Sequence, residues 1–258
     1  MKKFWIGAGL AAALALTGCG GGEEKKAEAP KAESAAAPGG AAPDEANGGT
    51  ITGKVAFDGA KPVMKNLDMS ATPFCTRAHA GGQPSEEVVV NSNNTVKNVL
   101  VWVKGGLPDK AWQGSTAPVT LDQNGCMYKP HVVAVMTGQP LTIKNSDATN
   151  HNIHPIPTVN QEWNESQPPG SADKQQTFPR QEVWIPVKCN IHPWMRSYIA
   201  VVGHPFYAVT GDDGTFTIKG LPPGTYTIEI VHEKYGKQEQ QVTVGAKESK
   251  TADFTIKG

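Results

Sequence analysis

The chain has 258 residues, with 28 glycines and 20 prolines, so it can form one or two domains with hydrophobic cores but few long helices. Lysine plus arginine and aspartate plus glutamate number 24 each, which leaves no basic field to attract nucleic acid. We therefore expect no nucleic-acid partner.

The N-terminus resembles a bacterial lipoprotein signal. Two lysines precede an apolar run, and the run ends in Leu16-Thr-Gly-Cys19, which has the form of a lipobox. The resemblance implies that residues 1–18 are a signal peptide and that Cys19 carries the lipid that anchors the protein to a membrane. Because Gly20 follows, it implies the periplasmic face of an outer membrane, or another exported cell surface. An ordinary signal peptide with a chance cysteine is the alternative.

Residues 19–48 contain mostly glycine, alanine, proline, glutamate and lysine, with almost nothing to bury. Such a composition predicts a disordered tether. From residue 49 onward, apolar and polar residues alternate over short runs, and glycine-containing turns such as Asp58-Gly59 separate the runs. This period of two predicts an all-β protein built from sandwiches or barrels. Residues 49–116 are the first such segment.

Cysteines indicate one disulfide. After Cys19, the remaining thiols are Cys75, Cys126 and Cys189. Exported compartments are oxidising, and an odd number means that one thiol is free or has another role. Because Cys189 lies in a metal-binding type of motif, Cys75 and Cys126 are the expected pair.

The motif at Cys189 supplies soft and borderline metal ligands. Cys189-Asn-Ile-His192-Pro-Trp-Met195 presents a thiolate, an imidazole and a thioether, and His151 follows an earlier strand. A cysteine and two histidines in a plane, with a weak axial methionine, are the ligands of type 1 copper. Structural zinc does not take methionine, and the Cys-x-x-Cys-His of c-type haem is absent. Neither an open metal position nor a nucleophile with its base is apparent, so we expect no enzyme.

Residues 128–202 resemble a cupredoxin of the amicyanin and plastocyanin type. The shared features are a His-Asn pair after an Asn-rich strand end and the run Cys-x-x-His-Pro-aromatic-Met-Arg. The resemblance implies a Greek-key cupredoxin sandwich or barrel over residues 117–203. It also implies one type 1 copper, held by His151, Cys189, His192 and Met195.

The same resemblance assigns roles around the ligands. Asn152 is expected to tie the two ligand loops together, and His192 is expected near the surface. Pro193 and Trp194 would then form an apolar docking collar around that imidazole. The strand before Cys189 departs from the family pattern because it contains Pro186, which cannot donate a ladder hydrogen bond.

Residues 204–258 resemble a carboxypeptidase-regulatory-like (transthyretin-like) β-sandwich, through the run from Thr210 to Ile230. The run from Gly49 to Pro62 resembles the opening strand of the same family. We therefore hypothesise a small sandwich that is discontinuous, with the metal domain inserted between its halves. The alternative is that residues 49–110 elaborate the metal domain.

These features predict a one-electron carrier whose partner is a redox protein, such as a c-type cytochrome or a respiratory or periplasmic oxidoreductase. A copper chaperone or storage lipoprotein is the rival, and a surface scaffold or adhesion protein is a third hypothesis. We expect His131 and His154 to be structural, with a second metal site at His131 as the alternative.

Overall fold

The structure is a computed structural model, and it describes residues 40–258. The expected signal peptide and the lipidated Cys19 lie outside this part of the chain. The described residues are almost entirely β-structure, with one short helix, α1 (Pro73–Ala78). No helix within residues 40–258 has the length and apolar character needed to cross a membrane.

Seventeen strands follow one another along the described chain. In order they are β1 (Gly49–Asp58), β2 (Leu100–Gly105), β3 (Val119–Gln123), β4 (Tyr128–Lys129), β5 (Val132–Met136), β6 (Leu141–Asn145), β7 (His151–Pro155), β8 (Glu165–Gln167), β9 (Lys174–Gln176), β10 (Glu182–Lys188), β11 (Arg196–Val202), β12 (Tyr207–Val209), β13 (Thr215–Leu221), β14 (Gly224–His232), β15 (Gly236–Val244), β16 (Ser249–Thr251) and β17 (Phe254–Lys257).

The first sandwich joins strands from both ends of the described chain. In one sheet β1 pairs with β13, β16 and β17, and in the other the order is β12-β2-β14-β15. Alternate residues of β13 point inward, and its buried Phe216 and Ile218 pack in one cluster with Ile51 and Val101. Because β1 and β2 precede the inserted domain and β12 to β17 follow it, the sandwich is discontinuous, as hypothesised from the sequence.

The inserted domain is a second sandwich. Its sheets have the orders β5-β11-β10-β7-β8 and β4-β3-β6-β9, with parallel pairing between β5 and β11 and between β3 and β6. The core lies between the sheets and contains Leu121, Ile143, Ile185 and Ile199. Both ligand-bearing segments are attached to β7, β10 and β11, so the sheet that contains these strands positions the site.

The last residues of the predicted tether are folded against the rest of the described chain. Ala41 forms a bridge with Trp112, and its amide donates to the carbonyl of Ala111 at 2.9 Å. The amide of Asp44 donates to Gly220 at 3.3 Å. Residues 40–48 are therefore held against the discontinuous sandwich, because their backbone groups find partners there and Ala41 packs on its core.

The segment between β1 and β2 is shared by the two sandwiches. We call residues 66–84 the cap segment; they contain α1 and close on themselves through a bridge between Asn66 and Pro84. The buried Met69 and Cys75 belong to the core of the inserted domain, and a disulfide joins Cys75 to Cys126. The cap segment therefore covers the inserted domain, although β1 and β2 on either side belong to the other sandwich.

The irregular point of β10 is Trp184 rather than Pro186. Pro186 stands opposite Tyr198 in the ladder, and its carbonyl accepts the amide of Ile156 at 2.8 Å. The register instead shifts between Glu182 and Ile185, where Trp184 has a φ of 79°. Although Pro186 has no N–H, the pairing of β10 with β11 therefore stays regular from Ile185 to the ligand loop.

Candidate metal centre

Two loops at one end of the inserted domain bring the expected ligands together. His151 is the first residue of β7, and Cys189 follows the last residue of β10. His192 and Met195 lie in the connection from β10 to β11. All four side chains are buried, and Cys189 and Met195 pack in the same hydrophobic cluster.

The ligand atoms of His151, Cys189 and His192 all lie within 4.8 Å of one another. The two Nδ1 atoms are 2.9 Å apart, and the Cys189 Sγ is 3.9 Å from the Nδ1 of His192. These separations suit ligands of a single ion, because metal–nitrogen and metal–sulfur bonds are about 2.0 and 2.3 Å long. Two imidazoles, a thiolate and a buried thioether form the donor set that copper prefers, so the residues fit that metal.

His151 is oriented by a buried carboxylate. Its Nε2 lies 2.8 Å from the Oδ2 of Asp147, so its Nδ1 points toward His192 and Cys189. Burial acts to lower the pKa of His151, but the hydrogen bonds with Asp147 and Cys189 raise it above its ordinary value. A carboxylate on the second nitrogen fixes both the ring position and the tautomer of a metal-binding histidine.

Asn152 connects the two ligand loops, as the resemblance implied. The amide of Asn190 donates to Asn152 Oδ1 at 2.6 Å, and the Sγ of Cys189 lies 3.3 Å from the same oxygen. Asn152 Nδ2 donates in turn to Asn164 Oδ1 at 2.7 Å. One amide side chain therefore sets the spacing of the loops that carry His151 and Cys189.

The environment of Cys189 favours the thiolate. Burial acts to raise its pKa, but hydrogen bonds from His151 and from the amides of Asn152, His192 and Ile191 lower it below the ordinary value. The amide of His192 donates to the sulfur at 3.4 Å. Since the thiolate is the metal-binding form of cysteine, the loop stabilises the species that binding needs.

His192 is covered, so the expectation that it lies near the surface is wrong. Only 2% of the residue is exposed, because the cap segment closes over it and the Sγ of Cys75 approaches its Nε2 to 4.0 Å. Burial and the nearby His151 lower the pKa of His192 to about 4. The imidazole is therefore neutral near pH 7 and offers its Nδ1 lone pair.

The expected docking residues differ in exposure. Pro193 is exposed, whereas Trp194 is half-buried, with its ring 5.0 Å from that of His192 and its Nε1 donating to the carbonyl of Cys126 at 3.1 Å. Trp194 therefore connects the ligand loop to the disulfide. The neighbouring Ile191 has 45% exposure and adds an apolar side chain that the sequence analysis did not select.

Cys126, Asp147 and His151 form a second group with metal-ligand spacing. The sulfur of Cys126 is in the disulfide, and both Asp147 oxygens accept hydrogen bonds, from the amides of Gly125 and Cys126 at 2.7 Å each and from the ring of His151. This group therefore supports the first site rather than forming another.

Sequence reasoning missed two features of this centre, namely Asp147 and the cap segment. Asp147 lies four residues before His151, and an acidic residue just before a ligand was the available signal. The position of the cap segment had no comparable signal except the disulfide partner Cys75. His154, which was expected to be structural, hydrogen-bonds Glu162 at 2.6 Å and does not belong to either group.

Comparison with protein families identifies one module. Residues 197–257 match the family model of the carboxypeptidase regulatory-like domain. The match begins in β11 of the inserted domain and covers β12 to β17 of the discontinuous sandwich. No curated protein matches this chain.

Solved structures with similarity to the chain include copper proteins. A Cu-containing nitrite reductase (NirK) from Thermus scotoductus SA-01 is 21% identical over 38% of this chain and 25% of its own, with a TM-score of 0.29. A Cu(I) form of a mutant amicyanin is 21% identical over 39% of this chain and 97% of its own, with a TM-score of 0.29. A purple cupredoxin from Nitrosopumilus maritimus is 20% identical over 33% and 98%, with a TM-score of 0.28. The matched region thus spans a quarter of the nitrite reductase chain.

Proposed function

We propose that this chain is a lipid-anchored type 1 copper protein that carries single electrons outside the cytoplasmic membrane. The observation that supports the proposal most strongly is the convergence of His151, Cys189 and His192 within 4.8 Å in a buried site. Copper bound to these residues would supply one-electron redox chemistry. With Met195, the chain supplies four ligands, which favours a carrier over an enzyme because no position is reserved for a substrate.

The protein's own contribution is a site that does not have to rearrange. Asp147 holds the ring of His151, and Asn152 holds the backbone of Asn190 beside Cys189. The amide of Met195 donates to the carbonyl of His192 at 2.9 Å, so the loop is also braced internally. Little reorganisation on electron transfer is the property that a carrier requires, and hydrogen-bonded ligands in a packed core favour it.

Electrons would enter and leave at the ligand loop, where Pro193 and Trp194 form the proposed docking surface together with the exposed Ile191. A cavity of about 460 Å³ beside Cys189 is lined by Pro193 and bordered by the basic Lys188 and Arg196. A redox partner such as a c-type cytochrome or a periplasmic oxidoreductase, with acidic groups around an apolar contact, would complement it. Small apolar contacts of this type suit transient electron-transfer complexes.

The docking surface can be tested without altering a ligand. Ile191→Glu places a charge in the apolar contact and should slow reduction by a protein donor about tenfold or more while the visible spectrum stays unchanged. Val63→Glu is the matched control, because Val63 is 97% exposed and lies outside this surface. Equal rates for the two variants would remove the docking assignment.

Copper binding itself is tested by absorption spectroscopy of the purified protein. The oxidised protein should bind one copper and show an intense thiolate charge-transfer band, which Cys189→Ser abolishes and His151→Ala weakens. His204→Gln is the matched control, because His204 is also buried but hydrogen-bonds Val103 in the discontinuous sandwich. A Cys189→Ser variant with the full band would contradict the assignment.

A copper chaperone or storage protein is the second candidate, and one observation favours it. The cap segment covers His192, and a buried ligand slows electron exchange through that imidazole. A carrier should exchange electrons reversibly and retain its metal, whereas a chaperone should transfer copper to an acceptor. Measuring electron self-exchange and copper transfer on one sample separates the two functions.

The anchor is part of the proposal and rests on the sequence. Cys19→Ala should release the protein from washed membranes or leave the precursor unprocessed, since the acyl chains on Cys19 supply the attachment. The location follows the same reasoning: the outer membrane's periplasmic face or another exported surface. A cleaved variant that stays in the membrane fraction would contradict the lipid assignment.

A further inference from the structure

A buried histidine lies where three distant parts of the chain meet. His131 precedes β5, Glu86 lies between the cap segment and β2, and Glu233 follows β14. The side chain of His131 is only 6% exposed. Its Nε2 is 2.5 Å from Glu233 Oε1, and its Nδ1 is 3.8 Å from Glu86 Oε2. The two carboxylates therefore flank one imidazole from opposite sides.

The two sides of the ring are not equivalent. The contact with Glu233 is a hydrogen bond, in which Nε2–H donates to the carboxylate. The Nδ1 atom is buried and has no hydrogen-bond partner, because 3.8 Å is too long for a bond to Glu86. In the neutral ring this nitrogen is an acceptor that faces a second acceptor. Buried polar atoms without a partner are rare, and a cation between Nδ1 and Glu86 would satisfy both.

The distance of 3.8 Å between His131 Nδ1 and Glu86 Oε2 suits two ligands of one metal ion better than a direct hydrogen bond. An ion about 2.1 Å from each atom would bridge a gap of this size with an angle of about 130° at the metal, and a small movement of the Glu86 side chain would bring that angle nearer to tetrahedral. Glu233 on the opposite nitrogen supplies the outer carboxylate that metal-binding histidines usually have. A cavity of about 250 Å³ that Ser85 and Glu87 also line leaves space for water ligands.

We propose that His131 Nδ1 and the Glu86 carboxylate bind one divalent transition-metal cation, of the class of Zn²⁺ or Cu²⁺, with water completing its coordination. Imidazole nitrogen and carboxylate oxygen favour these borderline ions, whereas the thiolate and thioether of the first site favour Cu(I). Glu233 acts as a positioning residue that holds the ring and its tautomer. The site is built from different residues than the type 1 centre and does not depend on that assignment.

The test counts Zn²⁺ bound per chain by equilibrium dialysis of the full-length protein, with affinity measured by calorimetry. Wild type should bind one more Zn²⁺ than His131→Gln, whatever the type 1 site contains. Glu86→Gln, at a partly exposed position, should weaken this binding about tenfold or more, because it removes a ligand. Glu233→Gln should keep the stoichiometry but weaken binding about 10-fold to 100-fold, because it removes only the support of the ring.

His154→Gln is the matched control, since His154 also contacts a glutamate through its Nε2, but its Nδ1 lies 3.3 Å from Asn190 Oδ1 instead of facing a second carboxylate. Its zinc stoichiometry should equal that of wild type. Equal stoichiometry in wild type and His131→Gln would overturn the proposal and leave His131 as a structural residue between two carboxylates. Equal losses in the His131 and His154 variants, or undiminished affinity in Glu86→Gln, would also overturn it. Copper at Cys189 is followed separately by its visible band, so failure of either assignment is recognised independently.

Discussion

The two sandwiches bury polar groups for different purposes. In the inserted domain, a connected series of hydrogen bonds leads to the proposed ligands. The Nε2 of Gln167 donates to the carbonyl of Ile143 at 3.1 Å, and the Nδ2 of Asn145 donates to the carbonyl of Gln167 at 2.8 Å. The Oδ1 of Asn145 accepts the amide of Asp147 at 3.0 Å. Asp147 then holds His151. Buried hydrogen-bond networks fix a unique arrangement when their members have partners, so this series positions His151, a ligand of the proposed copper site.

The discontinuous sandwich buries a charge instead. Glu229 is fully buried and accepts hydrogen bonds from the Nε1 of Trp102 at 3.0 Å and the Nζ of Lys104 at 2.8 Å. This carboxylate connects β14 to β2, the strand supplied by the N-terminal half of the sandwich. Its contacts join the two halves of an interrupted domain, whereas those of Asp147 orient a functional group. Polar burial therefore indicates function only when its partners are potential ligands.

The largest effect should come from removing the disulfide between Cys75 and Cys126, which is the only disulfide among the described residues. Replacing Cys75 and Cys126 together by alanine opens a loop with a sequence separation of 51, which should cost about 4 kcal/mol in the chain-entropy model. Urea unfolding of the oxidised protein measures the change. Because the cap segment would be released from His192, electron self-exchange should also become faster. A loss below about 1 kcal/mol with unchanged exchange would show that packing alone holds the cap segment.

In the other sandwich, Glu229→Ala should lower the free energy of unfolding by about 3 kcal/mol, because the indole N–H of Trp102 loses its buried partner along with the ion pair. The matched control is Glu239→Ala, since Glu239 pairs with the same Lys104 at an exposed position, where solvent screens the pair, and should contribute much less to stability than Glu229. Copper binding should be unchanged in both variants. A decrease in copper affinity in Glu229→Ala would break the distinction between the two sandwiches.

Asp147→Asn tests the same distinction from the functional side. The amide retains the shape of the side chain but weakens the contact with the Nε2 of His151, so copper affinity should fall about 10-fold to 100-fold. Competition against a chelator of known affinity measures the change. Asp122→Asn is the control, because Asp122 accepts the hydroxyl of Ser146 in the same loop region and does not contact a ligand. Equal affinities in the two variants would remove the positioning role of Asp147.

The sequence predicted those parts of the site that depend on residue type and short spacing. Cys189, His192 and Met195 occupy one loop, and the soft character of this set indicated copper before any fold was known. The discontinuous sandwich was also predicted, because its first strand resembles the family of its last strands. Alternation of apolar residues, visible in runs such as Phe216 and Ile218, was sufficient for the all-β class.

Other features could not be predicted because they depend on contacts between distant segments. The burial of His192 results from the cap segment, whose Cys75 lies 117 residues away along the chain. No local pattern at either position encodes that contact. The contacts of His131 show the same limit, because its two glutamates come from segments on opposite sides of it in sequence. The order found in residues 40–48 likewise requires partners such as Trp112.

The smallest predicted effect concerns Glu182. Its carboxylate has a structural role within the inserted domain. It accepts hydrogen bonds from the backbone amides of Thr158 and Asn160, the latter at 2.9 Å, and so holds the loop after β7 against the start of β10. Burial acts to raise the pKa of Glu182, but these hydrogen bonds lower it to about 2, from an ordinary value of 4.5.

Because the folded-state pKa of Glu182 is depressed, its contribution to stability is present above about pH 4.5 and is lost as the pH falls toward 2. The residue is partly exposed to solvent, which screens its charge, so Glu182→Gln should cost only about 1 kcal/mol at about pH 7. Urea unfolding of wild type and variant from neutral pH down to about pH 2 measures the difference in stability. This difference should shrink as the pH falls from about 4.5 toward 2. Copper affinity near neutral pH should stay the same. A stability difference that is constant with pH would show that packing, rather than charge, makes Glu182 important. A decrease in copper affinity at neutral pH would instead show that the loop after β7 supports the metal ligands as directly as Asp147 does.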